Sequence, residues 1–141
     1  MPSRFFDTSA LVKYYVEEAG SAWVTRLVTE SGARNYIAYI TGVEMTAALA
    51  RRGLTNSLRR FESDYANGFR RIALPEGTVE KARSLSKLRR LRGYDAIQLA
   101  SAQALADALG AQRIEFICAD DELIRAAQAL GLPVDNPHLH P

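Results

Sequence analysis

Cysteine and histidine are scarce in this sequence. The 141 residues include one cysteine, Cys118, and two histidines, His138 and His140, both close to the end of the chain. A single cysteine cannot form an internal disulfide, and so few thiol and imidazole ligands disfavour a zinc site. We therefore expect a protein of a reducing compartment, the cytoplasm, whose fold depends on neither cross-links nor zinc.

Long apolar runs are missing as well. No segment approaches the roughly 20 apolar residues of a membrane helix, and the first residues include Arg4 without the apolar stretch of a signal sequence. No repeat, low-complexity tract or linker divides the chain. With 48% hydrophobic and 24% charged residues, the composition predicts one globular domain over residues 1–141 and no membrane partner.

Positive charge is concentrated in the middle of the chain. Residues 51–92 contain twelve basic and four acidic residues, a balance of +8, which leaves −6 for the rest because the total is +2. Phe61, Tyr65 and Phe69 are interleaved with these arginines. A solvent-exposed helix face is enough to explain any one pair of adjacent arginines. The excess of positive charge over the whole region is equally consistent with the binding of a nucleic acid.

Short apolar runs alternate with segments of helical periodicity. The pattern predicts strands at residues 4–6, 36–39, 72–74, 114–118 and 132–134, and helices at residues 9–16, 21–29, 42–52, 54–69, 76–90, 94–109 and 121–130. Strands that alternate with helices form parallel sheets in most folds. We therefore expect an α/β fold with helices on both faces of a parallel sheet.

Four acidic residues, Asp7, Glu44, Asp95 and Asp120, are predicted to lie where helices begin. Asp7 and Asp120 also follow predicted strands, and the carboxyl ends of neighbouring parallel strands face one crevice. Clustered carboxylates suit Mg²⁺ or Mn²⁺, which keep water and phosphate oxygens in their remaining coordination positions. The pattern predicts metal-dependent phosphodiester chemistry.

Each acid also has an ordinary structural explanation. Asp7 and Asp120 are suitable helix caps, each worth roughly 1 kcal/mol. Thr41 and Glu44 match the Ser/Thr-x-x-Glu capping box, and Asp95 suits the positive end of its helix dipole. The joint pattern favours a site, because the helix after Asp95 is so apolar that a carboxylate there needs a metal or a basic partner.

The four acids lie in four recognisable segments. These are Phe6-Asp7-Thr8-Ser9-Ala10-Leu11-Val12-Lys13, the segment around Glu44, Leu91-Arg92-Gly93-Tyr94-Asp95-Ala96-Ile97-Gln98-Leu99-Ala100, and Ala119-Asp120-Asp121-Glu122-Leu123. Together and in this order they resemble the PIN domain family, and more narrowly its VapC branch. The resemblance covers essentially the whole chain and implies a three-layer α/β/α sandwich around a central parallel sheet of four to five strands.

The resemblance further implies an endoribonuclease that cuts RNA with Mg²⁺ or Mn²⁺ held by Asp7, Glu44, Asp95 and Asp120. It implies a VapB-like antitoxin encoded alongside, contact with operator DNA only through the toxin–antitoxin complex, and a homodimer. The alternative is a catalytically inactive PIN-like module that binds protein or nucleic acid, in which the acids are only helix caps.

The last segment departs from the family pattern. Relatives often have serine or threonine two positions before the last acid, where this chain has Cys118. A hydroxyl that holds a metal-bound water would then be missing, and Asp121 is the residue that could replace it in part. Only the spacing to Leu123 favours Asp120 over Asp121 as the ligand.

Overall fold

A parallel five-stranded sheet forms the middle layer of the computed structural model, which describes residues 2–141. Its strands are β1 (Ser3–Phe6), β2 (Arg34–Ala38), β3 (Arg70–Ile72), β4 (Ile114–Ile117) and β5 (Val134–Asp135). They lie in the order β3-β2-β1-β4-β5. Strands β2 and β3 therefore extend the sheet on one side of β1, and β4 and β5 extend it on the other side. The carboxyl ends of β1 and β4 therefore flank the point where the strand order reverses, which is the usual ligand crevice of such sheets.

Helices cover both faces of this sheet. Those of the described residues are α1 (Thr8–Tyr15), α2 (Ser21–Thr29), α3 (Tyr39–Arg51), α4 (Thr55–Asn67), α5 (Glu76–Arg89), α6 (Gly93–Leu109) and α7 (Asp121–Ala129). Short 3₁₀ turns follow at Ala111–Arg113 and Pro137–Leu139. None of the helices within residues 2–141 combines the length and the apolar composition that crossing a membrane demands.

Adjacent residues of β1 point into two separate cores. Phe5 stacks on Phe116 in the core that includes residues of α5, α6 and α7, whereas Phe6 packs with residues of α1, α3 and α4. Both phenylalanines are fully buried. The alternation of strands with helices predicted a parallel sheet with helices on both faces, the family resemblance implied three layers, and both predictions are confirmed.

Every predicted element is present, but some boundaries differ. The helix after β2 was expected near residue 42 and begins at Tyr39 without an intervening loop, because Ala38 already ends the strand and caps the helix. Strand β3 lies at Arg70–Ile72 and not at residues 72–74, since its parallel register pairs Arg70 with Tyr36 and Ile72 with Ala38. An edge strand that begins with exposed arginines has no apolar signal in the sequence.

Candidate active site

Asp7 is the most deeply buried of the four predicted acids. Its backbone N–H donates to the Ile117 carbonyl oxygen at 2.9 Å, which fixes it at the carboxyl ends of β1 and β4. Its Oδ2 accepts hydrogen bonds from the Ser9 amide at 3.0 Å and from the Ser9 hydroxyl at 2.5 Å, so Asp7 caps α1 as predicted. Burial nevertheless raises the pKa of Asp7 to about 6, and the charges of Glu44 and Asp95 contribute to this rise.

Glu44 is not at a helix start. Because α3 begins at Tyr39, Glu44 lies in its second turn, and Ala38 is the residue at the cap position. The predicted capping box with Thr41 is therefore wrong. The Glu44 side chain instead accepts a hydrogen bond from the Thr8 hydroxyl at 2.7 Å, across to α1. Its position thus depends on tertiary contacts and not on local capping.

A buried polar network around Gln98 completes the surroundings of Glu44. Gln98 Nε2 shares its two hydrogens among three acceptors, namely Glu44 Oε1 at 3.0 Å, the Thr41 hydroxyl at 2.7 Å and the Thr8 hydroxyl at 3.1 Å. Gln98 and Thr41 are both almost completely buried. Since Gln98 lies one turn after Asp95 on α6, this network ties the acid-bearing ends of α1, α3 and α6 together.

Asp95 and Asp120 are joined by an arginine that the sequence analysis did not place in the site. Asp95 is in the first turn of α6, and Asp120 caps α7 by accepting from the Leu123 amide at 3.0 Å. Arg92 Nε lies 3.2 Å from Asp95 Oδ2, and its terminal nitrogen lies 3.5 Å from Asp120 Oδ2. The need of Asp95 for a metal or a basic partner is therefore met in this structure by Arg92.

Burial raises the pKa of Asp95, against the hydrogen bond from Arg92, which lowers it. The charge of Asp120 adds to the rise. Asp121, by contrast, is exposed on α7. Arg92 and the helix cap thus set Asp120 apart from Asp121 as the acid that faces the crevice.

Cys118 packs directly against Asp7. Its sulfur lies 3.8 Å from Asp7 Oδ2, and the Asp120 amide donates to it at 3.4 Å. Burial, with the charge of Asp7, raises the pKa of the Cys118 thiol well above its usual value, so the thiol stays protonated. A hydroxyl from α1 lies beside Asp7, because Ser9 Oγ contacts the Asp7 carboxylate and also accepts from the Ala119 amide at 3.0 Å.

The carboxylates influence one another electrostatically. The charges of Glu44 and Asp95 raise the pKa of Asp7, and the charge of Asp120 raises the pKa of Asp95. Oxygen donors and buried negative charge of this kind suit a divalent cation such as Mg²⁺ or Mn²⁺. Within residues 2–141, however, no three acidic, histidine or cysteine side chains converge closely enough to hold one ion. Arg92 contacts two of the four carboxylates in this structure.

Comparisons with known proteins identify the family of this chain. The PIN domain profile matches residues 4–129. Ribonuclease VapC45 of Mycobacterium tuberculosis is 32% identical over 117 residues, which span 76% of this chain and 79% of the relative. The alignment therefore extends over most of both chains.

Two solved structures share the fold. A toxin–antitoxin complex from Klebsiella pneumoniae matches with a TM-score of 0.69 and 21% identity, over 95% of this chain and 97% of that chain. VapC20 of Mycobacterium tuberculosis, a sarcin–ricin loop cleaving toxin, matches with a TM-score of 0.68 and 18% identity, over 87% and 94% of the two chains. With the family profile and the identity to a VapC ribonuclease, they confirm the resemblance noted in the sequence: this chain belongs to the PIN domain family and, within it, to the VapC ribonucleases.

Proposed function

We propose that this protein is the toxin of a VapBC-like toxin–antitoxin pair, a single PIN domain over residues 1–141 that hydrolyses RNA phosphodiester bonds with Mg²⁺ or Mn²⁺. The observation that carries the proposal is the burial of Asp7 at the carboxyl end of the central strand, with a pKa of about 6 and two further acids close enough to raise it. A fold rarely buries such a carboxylate without a function for it, because isolated buried charge is costly.

The proposed metal ligands are Asp7, Glu44, Asp95 and Asp120. When bound, the divalent ion supplies a nucleophilic water and stabilises charge on the scissile phosphate. Ser9 orients the Asp7 carboxylate, and Thr8 with Gln98 holds Glu44 toward the crevice. No side-chain nucleophile is needed in this reaction.

Arg92 has a second role in the proposed mechanism. Its side chain is 76% exposed, so it can leave the two carboxylates and turn toward an RNA phosphate. A guanidinium binds phosphate oxygens through paired hydrogen bonds, which makes this exchange favourable. Arg92 would then neutralise charge beside the scissile bond once Asp95 and Asp120 are engaged elsewhere.

Single-stranded RNA suits the surface around the site. Tyr94 is 64% exposed at the start of α6, directly before Asp95, and an exposed aromatic ring stacks on unpaired bases. The aromatic residues of the basic region have different roles. Phe61 and Phe69 are core residues, and Tyr65 packs under Arg71 at 4.6 Å. Base stacking is therefore proposed for Tyr94 and not for these three.

The antitoxin would dock on an apolar groove between α3 and α4. This groove has a volume of about 520 Å³, and Val43 on its rim is 70% exposed. Gly42 makes room for the Tyr65 ring, since a Cβ there would lie 2.6 Å from it. An amphipathic helix of a VapB-like antitoxin fits such a groove. The proposal includes contact with operator DNA only through this complex, and a homodimer of the toxin.

The alternative is a catalytically inactive PIN-like binding module. The contact of Arg92 with Asp95 and Asp120 favours it, because an arginine already neutralises two of the four acids. Incubation of the antitoxin-free protein with single-stranded RNA separates the two functions. A ribonuclease cuts the RNA in Mg²⁺ or Mn²⁺ and is inactive in EDTA. A binding module binds the RNA without cutting it in all three conditions.

A further inference from the structure

A pocket beside the acid site is lined by three arginines that have no assigned role. Its volume is about 310 Å³, and its walls come from the end of α5 and from α7, with Arg89, Arg90, Leu91, Glu122, Arg125 and Ala126 as lining residues. We propose that this pocket binds a backbone phosphate of single-stranded RNA next to the scissile one. The inference rests on the proposed function and deepens it, because it assigns a second phosphate of the substrate to a named pocket.

The arginines of the pocket are available for a ligand. Among residues 2–141, Arg89, Arg90 and Arg125 have neither a side-chain hydrogen bond nor an ion pair nor an aromatic partner, unlike Arg4, Arg83 or Arg92. One acid, Glu122, shares the walls, so the lining carries a net charge of +2. A volume near 310 Å³ is about ten times the roughly 30 Å³ of a water molecule, so a phosphate group fits.

The backbone at Arg90 is a second, independent observation. Arg90 ends α5 in the left-handed region with φ of 54°, and it is the one non-glycine residue with positive φ among those the structure describes. Glycine is the usual residue at this position of a helix end, because a side chain is strained there. Strain of this kind is typical of functional sites, and here it directs an arginine into the pocket wall.

The pocket is adjacent to the acids through both of its walls. Arg90 is two residues before Arg92, and Glu122 is two residues after Asp120. The charge of Glu122 reaches both Arg92 and Asp95, since it raises the pKa of each. An RNA strand with one phosphate at the acids therefore passes over this pocket with a neighbouring phosphate.

The test measures RNA binding in an Asp7→Asn background, which prevents cleavage during the measurement. A fluorescent single-stranded RNA is titrated at several salt concentrations in Mg²⁺ with the parent and with Arg89→Gln/Arg125→Gln. For each phosphate contact that is lost, we expect the affinity for RNA to fall about fivefold at 0.1 M salt. The salt slope, which is the slope of log affinity against log salt concentration, should decrease in magnitude by roughly 0.7. Arg26→Gln, an exposed arginine on α2, is the matched control and should change neither value.

Arg90→Gly distinguishes ligand binding from folding. Glycine adopts a positive φ without strain, so the melting temperature of the Arg90→Gly variant should equal or exceed that of the parent. The RNA affinity of the variant should fall. Substitution of single RNA phosphates by neutral methylphosphonate then locates the contact. One position should weaken binding to the parent and have no further effect on the Arg89→Gln/Arg125→Gln variant.

Two results separate failure of this inference from failure of the proposed function. Pocket variants that bind RNA with the affinity and salt slope of Arg26→Gln would overturn the phosphate site, even if the wild type cuts RNA. Pocket variants that bind RNA weakly would support the site, even if the wild type never cuts RNA. Loss of affinity for an acidic protein partner alone, with RNA binding intact, would also overturn it.

Discussion

Arg92 Nε lies 3.2 Å from Asp95 Oδ2, so the residue just before α6 neutralises the acid in its first turn. The same guanidinium reaches Asp120 on α7. Arg92 joins two proposed metal ligands. Its positive charge therefore stands in for part of the charge that a bound cation would supply. In the proposed mechanism, metal binding would therefore be coupled to the release of Arg92.

Removal of this arginine should increase metal affinity. We expect Arg92→Gln to bind Mn²⁺ a few-fold more tightly than the wild type, because ion pairs of an exposed arginine compete only weakly with a metal. Isothermal titration with Mn²⁺ measures this directly. Arg83→Gln, which removes an exposed arginine paired with Glu80 on α5, is the control. Equal or weaker Mn²⁺ binding by Arg92→Gln would contradict the coupling.

The raised pKa of Asp7 predicts a pH-dependent cost to folding without metal. An acid whose folded pKa is about 6, against its ordinary value of 3.8, binds its proton more tightly in the folded state. Its cost is absent at low pH and grows as the pH rises from about 4 to about 6. At neutral pH the full difference corresponds to roughly 3 kcal/mol.

Asp7→Asn should remove this cost while its side-chain oxygen can still cap α1. In EDTA, its free energy of unfolding should exceed that of the wild type at pH 7.5, and this advantage should shrink toward pH 4.5. Urea denaturation at both pH values measures the difference. Asp107→Asn, an exposed acid on α6, is the control. An Asp7→Asn variant less stable than the wild type at pH 7.5 would show that its charge stabilises the fold.

The Gln98 network should contribute to both stability and the position of Glu44. Gln98→Leu removes the donor to Glu44, Thr41 and Thr8, and we expect a loss of roughly 1–3 kcal/mol in the free energy of unfolding because buried acceptors lose a partner. Gln103→Leu, on the same helix, is the control, since Oε1 of both glutamines is buried without a hydrogen-bond partner among the described residues and only Gln98 Nε2 donates to the network. Equal effects of the two substitutions in urea denaturation would refute a specific role for the network.

The apolar groove between α3 and α4 should determine antitoxin binding. Val43→Asp adds a charge at a position that is 70% exposed, so the toxin should fold normally while its affinity for the protein encoded alongside falls at least tenfold. Leu88→Asp, at a residue that is 73% exposed on α5, is the control. Biolayer interferometry with the purified partner measures both. Unchanged affinity in Val43→Asp would place the antitoxin on another surface.

The parts of the fold that the sequence predicted are those with local signals. Strand ends and helix caps are encoded in neighbouring residues, which is why the positions of Asp7 and Asp120 were predictable. The capping box at Thr41 and Glu44 failed because a matching local motif does not fix where a helix begins. The tertiary structure started α3 at Tyr39 and turned Glu44 toward other helices.

The remaining parts of the site depend on contacts between distant segments. Arg92 meets Asp120 from 28 residues away, and Gln98 meets Glu44 from 54 residues away. No periodicity or composition in the sequence marks such pairs. One signal was present: Arg92 lies only three residues before Asp95 in the sequence, close enough for the cap residue of α6 to reach an acid in the first turn.

The most direct measurement is cleavage of a mixed single-stranded RNA pool by antitoxin-free protein in Mg²⁺, in Mn²⁺ and in EDTA. The wild type is compared with Asp7→Asn and Asp95→Asn, with Asp107→Asn as control and folding checked by thermal melting. We predict cutting in either metal by the wild type and by the control, and none in EDTA or by the two site variants. Cutting that survives in EDTA or in folded Asp7→Asn would contradict a carboxylate-held metal centre.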